Sequence, residues 1–279
     1  MVAPQKVLLL GGHGKIALKL TPLLLKRSWD VTSVIRNPDH ESEILALTKG
    51  QPGKLSVLVE SLDDVKTSAD ADKVLNKVDP TIVVWSAGAG GKGGPPRTYS
   101  IDRDAAKSYI TASLSRPSVH KFLMISYIAS RRTPAPWWDA ADMAAAEKVN
   151  KEILPHYFAA KVEADEHLLV ETERRRRKGV DGKGEGKGGF QMINLRPGTL
   201  TDGEATGKVK LGKTGSRGEV SRGDVAVVAD EMLGRGDVRG WFDLLAGKEG
   251  VGEAVERVVR EGWDGVEGED LGALYKGLD

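Results

Sequence analysis

Val7-Leu8-Leu9-Leu10-Gly11-Gly12-His13-Gly14-Lys15-Ile16-Ala17 is the stretch on which the fold turns. A short apolar run stopped by glycines and followed by the amphipathic segment Ile16 to Lys26 predicts a buried strand, a tight turn and a helix. Gly11 takes backbone angles closed to other residues. Gly14, lacking a side chain, lets a pyrophosphate approach the backbone. The helix start then offers free N–H groups and the positive end of its dipole to an anion. Ala17 stands where a third glycine is often found, and it is small enough for close helix–strand packing. Surface turns use the same residues. Here the turn lies between a strand and a helix, as a dinucleotide-binding turn requires.

Working outward, the β-branched, alternating run Asp30 to Ile35 predicts a second strand ending in Arg36-Asn37-Pro38. In dinucleotide folds the end of this strand meets the adenosine ribose. An acidic residue there accepts from a free 2′-hydroxyl, whereas an arginine pairs with a 2′-phosphate. Arg36 therefore points to NADP; its plain alternative is a solvated strand end. Lys54 to Glu60 predicts strand three, with Ser61 and Leu62 beyond it where an adenine would rest. Pro80 to Trp85 predicts strand four, ending in a second glycine-rich turn, Ser86-Ala87-Gly88-Ala89-Gly90-Gly91. Helices are expected over about 64–78, 100–115, 140–153, 155–173, 224–233 and 251–261. Further strands are expected at 120–127, 190–195 and 240–245. Alternation at this spacing implies a doubly wound parallel α/β sheet of about seven strands, with ligand at the strand carboxyl ends. We read 1–279 as one domain, with small substrate-side elements towards the C-terminus.

Composition narrows the function. The chain has 279 residues, is 40% hydrophobic and 29% charged, and so can bury a sizeable core. It has no cysteine, which excludes disulfides, thiolate metal sites and cysteine nucleophiles. Histidines at 13, 40, 120, 156 and 167 lack metal-site spacing, so no metal is expected. A formal net charge of +1 gives no global drive towards nucleic acid or membrane. No apolar run approaches a membrane span, and a cytoplasmic protein is the default expectation. Residues 171–189 are charged, glycine-rich and of low complexity, and are expected to be a disordered insertion. Its basic run Arg174 to Lys178 fits a solvated helix end, a phosphate patch or a nuclear address. Arg131 to Trp138 (Arg-Arg-Thr-Pro-Ala-Pro-Trp-Trp) fits either a pocket wall or a proline-braced lid. The polar loop 201–218 is placed over the substrate.

Tyr157 and Lys161 stand four residues apart, on one face of a helix that follows strand five. With Gly11-x-x-Gly14-x-x-Ala17, Arg36-Asn37, Ser86-Ala87-Gly88, Asp102, Ser126, Leu195-Arg196-Pro197-Gly198 and Val220 to Ala226, the chain resembles the short-chain dehydrogenase/reductase superfamily. The likeness is to its atypical members, close to the NAD(P)-dependent epimerase/dehydratase and NmrA-like groups. It implies NADP bound across a Rossmann sheet by Gly11 to Ile16, Arg36, Asn37, Ser61, Leu62, Ser86 to Ala89, Asp102 and Lys161. It also implies a small carbonyl or hydroxyl substrate, Tyr157 as acid/base, Lys161 on the nicotinamide ribose, and Ser126 polarising the substrate oxygen. Two positions depart from the pattern: Asp102 stands where an Asn is frequent, and Tyr127 occupies the usual place of the serine. A non-catalytic NADP-binding redox sensor is the competing expectation.

Overall fold

A computed structural model of the chain describes residues 5–180 and 189–278. In chain order the strands and main helices are β1 (Lys6–Leu10), α1 (Lys15–Lys26), β2 (Asp30–Ile35), α2 (Glu41–Leu45), β3 (Leu55–Val59), α3 (Ser68–Val78) and β4 (Ile82–Trp85). There follow α4 (Gly94–Thr98), α5 (Ala106–Leu114), β5 (Lys121–Ile125), α6 (Ala140–Lys148), α7 (Pro155–Arg177), β6 (Gln191–Pro197), β7 (Thr199–Thr201) and β8 (Lys208–Leu211). The chain ends with β9 (Glu219–Ser221), α8 (Arg222–Gly234), β10 (Gly240–Ala246), β11 (Glu249–Gly250), α9 (Val251–Arg260) and α10 (Leu271–Leu274).

The main sheet runs β11-β8-β10-β6-β5-β4-β1-β2-β3. Seven of its strands, β10 to β3 in that order, are parallel, as the alternating pattern requires. The sheet is wider than expected, because β8 pairs antiparallel with β10 and β11 antiparallel with β8. Sequence reading passed over β8 because Lys-Val-Lys-Leu is short and lies among glycines. It takes up part of the segment 201–218 expected to cover the substrate; β7 and β9, at the two ends of that segment, form a separate two-stranded sheet, and Leu200 of β7 lines a cleft whereas no residue of 202–218 lines either cleft at the strand ends.

Helices cover both faces, which is why the strands read as unbroken apolar runs. Leu20 and Leu24 of α1 pack with Ala229 and Met232 of α8 on one side. Leu75, Ile110 and Leu168 of α3, α5 and α7 form the core on the other.

Two helical boundaries differ from expectation, and one expected helix changes type along its length. Pro95 and Pro96 start α4 ahead of the predicted helix, and a π-helical stretch, Tyr99–Ala105, carries it into α5. Proline suits a first turn because its missing N–H would be unpaired there. A second π-helical stretch, Val149–Ile153, follows α6 and leads to Pro155 at the start of α7. Finally, α7 runs through 171–177, so that part of the expected insertion is ordered helix; residues 181–188 lie outside the described residues. Its basic run is a solvated helix end at Arg176 to Lys178, which are exposed, but not at Arg175. Arg175 is buried and donates to the carbonyls of Leu114 and Arg116, while Arg174 pairs with Glu171, and Arg176 and Arg177 with Glu173.

The tryptophan loop is a brace. Both indoles, of Trp137 and the buried Trp138, donate to the Thr214 carbonyl, and the buried Arg131 guanidinium lies over both rings at 5.4 and 5.6 Å.

Candidate active site

The carboxyl ends of β1, β2, β4 and β5 open into two adjoining clefts. Gly11, with φ +81°, sits so close to the next turn that a Cβ would lie 2.7 Å from the Ala87 Cα. Gly14 caps α1 with no side chain, its N–H donating to the Gly11 carbonyl at 2.8 Å, and the first turn of α1 holds no acidic residue. The helix start is thus left to an outside anion.

The outer cleft, of about 300 Å³, passes from Gly11, His13 and Gly14 to Arg36, Asn37 and Leu62, and shares Ser86 to Ala89 with the inner one. Arg36 is exposed and donates to Asp63 at 3.3 Å, and Arg97 of α4 grips the same carboxylate at 2.9 and 3.1 Å. The two guanidiniums, Arg97 foremost, hold the Asp63 carboxyl below its usual range. His13 and His40 stack with ring centres 3.6 Å apart above the opening. Arg97 and His40 escaped the sequence reading of this site because no motif spacing links them to it, whereas Asp63 lay in the stretch after strand three where an adenine was expected.

The inner cleft, about 540 Å³, brings together Ile16, Asp102, Ser126 and Tyr157, roofed by Ile153, Leu154 and Leu200. Asp102 is buried in the π-helical stretch and accepts from the Ala89 N–H at 2.9 Å, which fixes the turn after β4. Burial pushes its carboxyl up, against the attraction of Lys161.

Four of the expected site residues face neither cleft. Gly12 packs on Ser33, the Lys15 ammonium pairs with Asp202 at 2.6 Å, and the Ser61 hydroxyl accepts from the Asp63 N–H in its own turn. Lys161 is buried beneath the inner cleft, where its ammonium donates to the Ile125 carbonyl at 3.1 Å.

The Tyr157 phenol is pushed above its ordinary value by burial, with Asp102 and Asp165 adding to the shift. At neutral pH it is therefore a hydrogen-bond donor. Its ring lies 5.1 Å from that of Tyr127, whose hydroxyl donates to Asn150 of the π-helical stretch after α6 at 2.8 Å; Ser126, and not Tyr127, lines the inner cleft.

A residue absent from the sequence reading governs Ser126. Asp165, wholly buried one turn after Lys161, takes the hydroxyls of Ser126 and Ser130 on one oxygen at 2.5 and 2.6 Å. The only sequence signal was the spacing of Tyr157, Lys161 and Asp165, each four residues on.

Residues 11–235 match the family model described as NAD(P)H-binding. The chain belongs to that family. It is 33% identical over 220 residues to the UPF0659 protein C216.03 of Schizosaccharomyces pombe, spanning 77% of this chain and 79% of that one. It is 24% identical over 256 residues to the uncharacterized sugar epimerase YhfK of Bacillus subtilis, spanning 91% of this chain and 100% of that protein. Among solved structures, a protein of Bacillus halodurans described as an NAD-dependent epimerase/dehydratase superposes with a TM-score of 0.69 at 23% identity, covering 91% of this chain and 99% of that one. The Rossmann-type α/β fold and membership of the NAD(P)H-binding family follow from these likenesses. Among the described residues no helix is long and apolar enough to cross a membrane, and no group of three or more His, Asp or Glu is placed to hold a metal ion.

Proposed function

We propose that the chain binds NADP across both clefts and acts as an oxidoreductase or epimerase on a small hydroxyl or carbonyl compound. The observation that carries this is the convergence of the uncapped start of α1, Arg36, Ser126 and Tyr157 on one pair of adjoining clefts. The outer cleft takes the adenosine half, with Gly11 and Gly14 against the pyrophosphate. Arg36 exchanges Asp63 for the 2′-phosphate, and the strand end presents no carboxylate of its own to a free 2′-hydroxyl. A bound nicotinamide supplies or accepts the hydride. The chain's own part is orientation, exclusion of water by Ile153 and Leu200, and a proton at the Tyr157 hydroxyl.

A redox sensor without turnover is the second reading. It is favoured by the commitment of Ser126 to Asp165 and of the Lys161 ammonium to Ile125.

Titration with NADPH and NADH by nicotinamide fluorescence, on wild type and Arg36→Ala, tests the binding site. An exposed charge-assisted hydrogen bond to phosphate is worth about 1.5 kcal/mol, so NADPH affinity should fall about tenfold, with NADH unchanged. Binding of neither nucleotide refutes the proposal. Turnover of any hydroxyl or carbonyl compound that Tyr157→Phe abolishes, with NADPH affinity kept, separates enzyme from sensor.

A further inference from the structure

The two clefts differ in charge. Facing the outer one are Arg36, Lys92 and Arg97, alongside Glu60 and Asp63. Lining the inner one, Asp102 is the only Asp, Glu, Lys or Arg among the described residues. Pro95, Ile125, Ile153, Leu154 and Leu200 supply much of the rest of its wall, beside the imidazole of His156. The inner cleft thus sets one carboxylate in a largely apolar lining.

The hydrogen-bonding sense of the inner cleft is equally restricted. A single buried oxygen of Asp165 lies 2.5 Å from the Ser126 hydroxyl and 2.6 Å from that of Ser130. An oxygen facing two hydroxyls at such distances takes both hydrogens, since a carboxylate has only lone pairs to offer. The Ser126 hydrogen is therefore turned away from the cleft. What Ser126 presents to a ligand is a lone pair. A ketone oxygen has no hydrogen to give it, whereas an alcohol has one. Tyr157, with no hydrogen-bond partner for its hydroxyl among the described residues, is left to donate to the same ligand oxygen.

We infer that the inner cleft takes a neutral, largely apolar compound through a hydroxyl that donates to Ser126, with Asp165 as the positioning residue that sets this polarity. This rests on the proposed function for the place of the reaction. It also reverses the role expected of Ser126, which accepts from the substrate and does not polarise a carbonyl.

Cyclohexanol and cyclohexanone are matched in shape and differ in the hydrogen. The test is ligand-observed NMR titration of each on the full chain, nucleotide-free and again with the outer cleft filled by ADP-ribose, which carries out no redox chemistry. Cyclohexanol should bind about fivefold more tightly than cyclohexanone, the range expected of one neutral hydrogen bond. Ser126→Ala should remove the difference, and Asp165→Leu, which releases the Ser126 hydrogen, should favour the ketone. Ser130→Ala, which leaves the Ser126 bond in place, should retain the wild-type preference. Equal or tighter ketone binding, no binding of cyclohexanol, or a preference that survives Ser126→Ala each overturns the inference. If Asp165→Leu does not fold, the Ser126→Ala ratio decides alone. The nucleotide-free titration reads the inner cleft even if the chain binds no dinucleotide, so failure of the proposed function is seen separately.

Discussion

Asp243→Ala should be among the most damaging single substitutions in the chain, although it touches neither cleft. Arg196 of β6 and Asp243 of β10 are both fully buried, with Nε 3.0 Å from the carboxylate. The guanidinium also donates to the Ile128 carbonyl at 2.7 Å and lies 4.4 Å from the Trp241 ring centre. Removing the carboxylate leaves a buried cation facing one carbonyl and one ring. Breaking such a pair costs about 3–5 kcal/mol, a large part of a total stability of about 5–15 kcal/mol. The pair itself is not a net gain. Burial pushes the Asp243 carboxyl up to about 6 in spite of Arg196, so desolvation outweighs their attraction. Arg196→Met with Asp243→Leu should therefore return stability to within about 1 kcal/mol of wild type. The sign of the pH dependence follows. The folded carboxyl holds its proton to a higher pH than an unfolded aspartate at about 3.9, so this group's contribution to stability falls as pH rises from about 4 to 6 and is flat above. The double variant should lack that slope. Urea unfolding of the three proteins at intervals across that range measures all of this. A loss below about 1 kcal/mol for Asp243→Ala, or a double variant no better than the single one, would refute the reasoning.

Two further outcomes are expected. Gly11→Ala drives a Cβ to 2.7 Å from the Ala87 Cα at φ +81°; a strained backbone of this kind costs about 1–3 kcal/mol, so the melting temperature should drop and nucleotide binding should vanish in the same titration. Lys121, buried at the start of β5, donates to the carbonyls of Leu233 and Arg235 at 2.6 and 2.7 Å, and burial pushes its ammonium down to about 8. The folded protein releases this proton before an unfolded lysine at about 10.4 does, so stability relative to Lys121→Met should climb from about pH 8 to 10, by up to about 3 kcal/mol. A flat difference curve would show that the ammonium is not desolvated.

The parallel sheet was legible because its strands are buried on both faces and stopped by glycine or charge: Val7 to Leu10, Ile82 to Trp85 and Lys121 to Ile125 all stand where their apolar runs lie. The glycine turn was legible for the same reason, since Gly11 and Gly14 answer to backbone geometry that no other residue meets as well. What escaped was polar and long-range. Arg175 looked like part of a solvated run and is instead buried against Leu114, Arg116 and Phe190, because a cation's partners are carbonyls that sequence does not display. Trp137 and Trp138 fitted a pocket wall or a brace equally well until Thr214, 76 residues beyond Trp138, supplied the acceptor for both.

Asp165 belongs to that hidden class, yet it follows from the helix that the Tyr157–Lys161 spacing already marked. Tyr157, Lys161 and Asp165 lie on one face of α7, and each meets a different part of the end of β5. Lys161 donates to the carbonyl of Ile125, the last residue of the strand, and Asp165 receives the hydroxyl of Ser126, the next one. Both contacts lock the register of α7 against β5, and that register carries Tyr157 over the inner cleft. The same clamp assigns opposite senses to the two hydroxyls, Ser126 accepting and Tyr157 donating. One substrate hydroxyl satisfies both, giving its hydrogen to Ser126 and a lone pair to Tyr157, whereas a carbonyl satisfies only one. Lys161 thus acts on the site through the strand it holds, and its loss should disturb Ser126 and Tyr157 together.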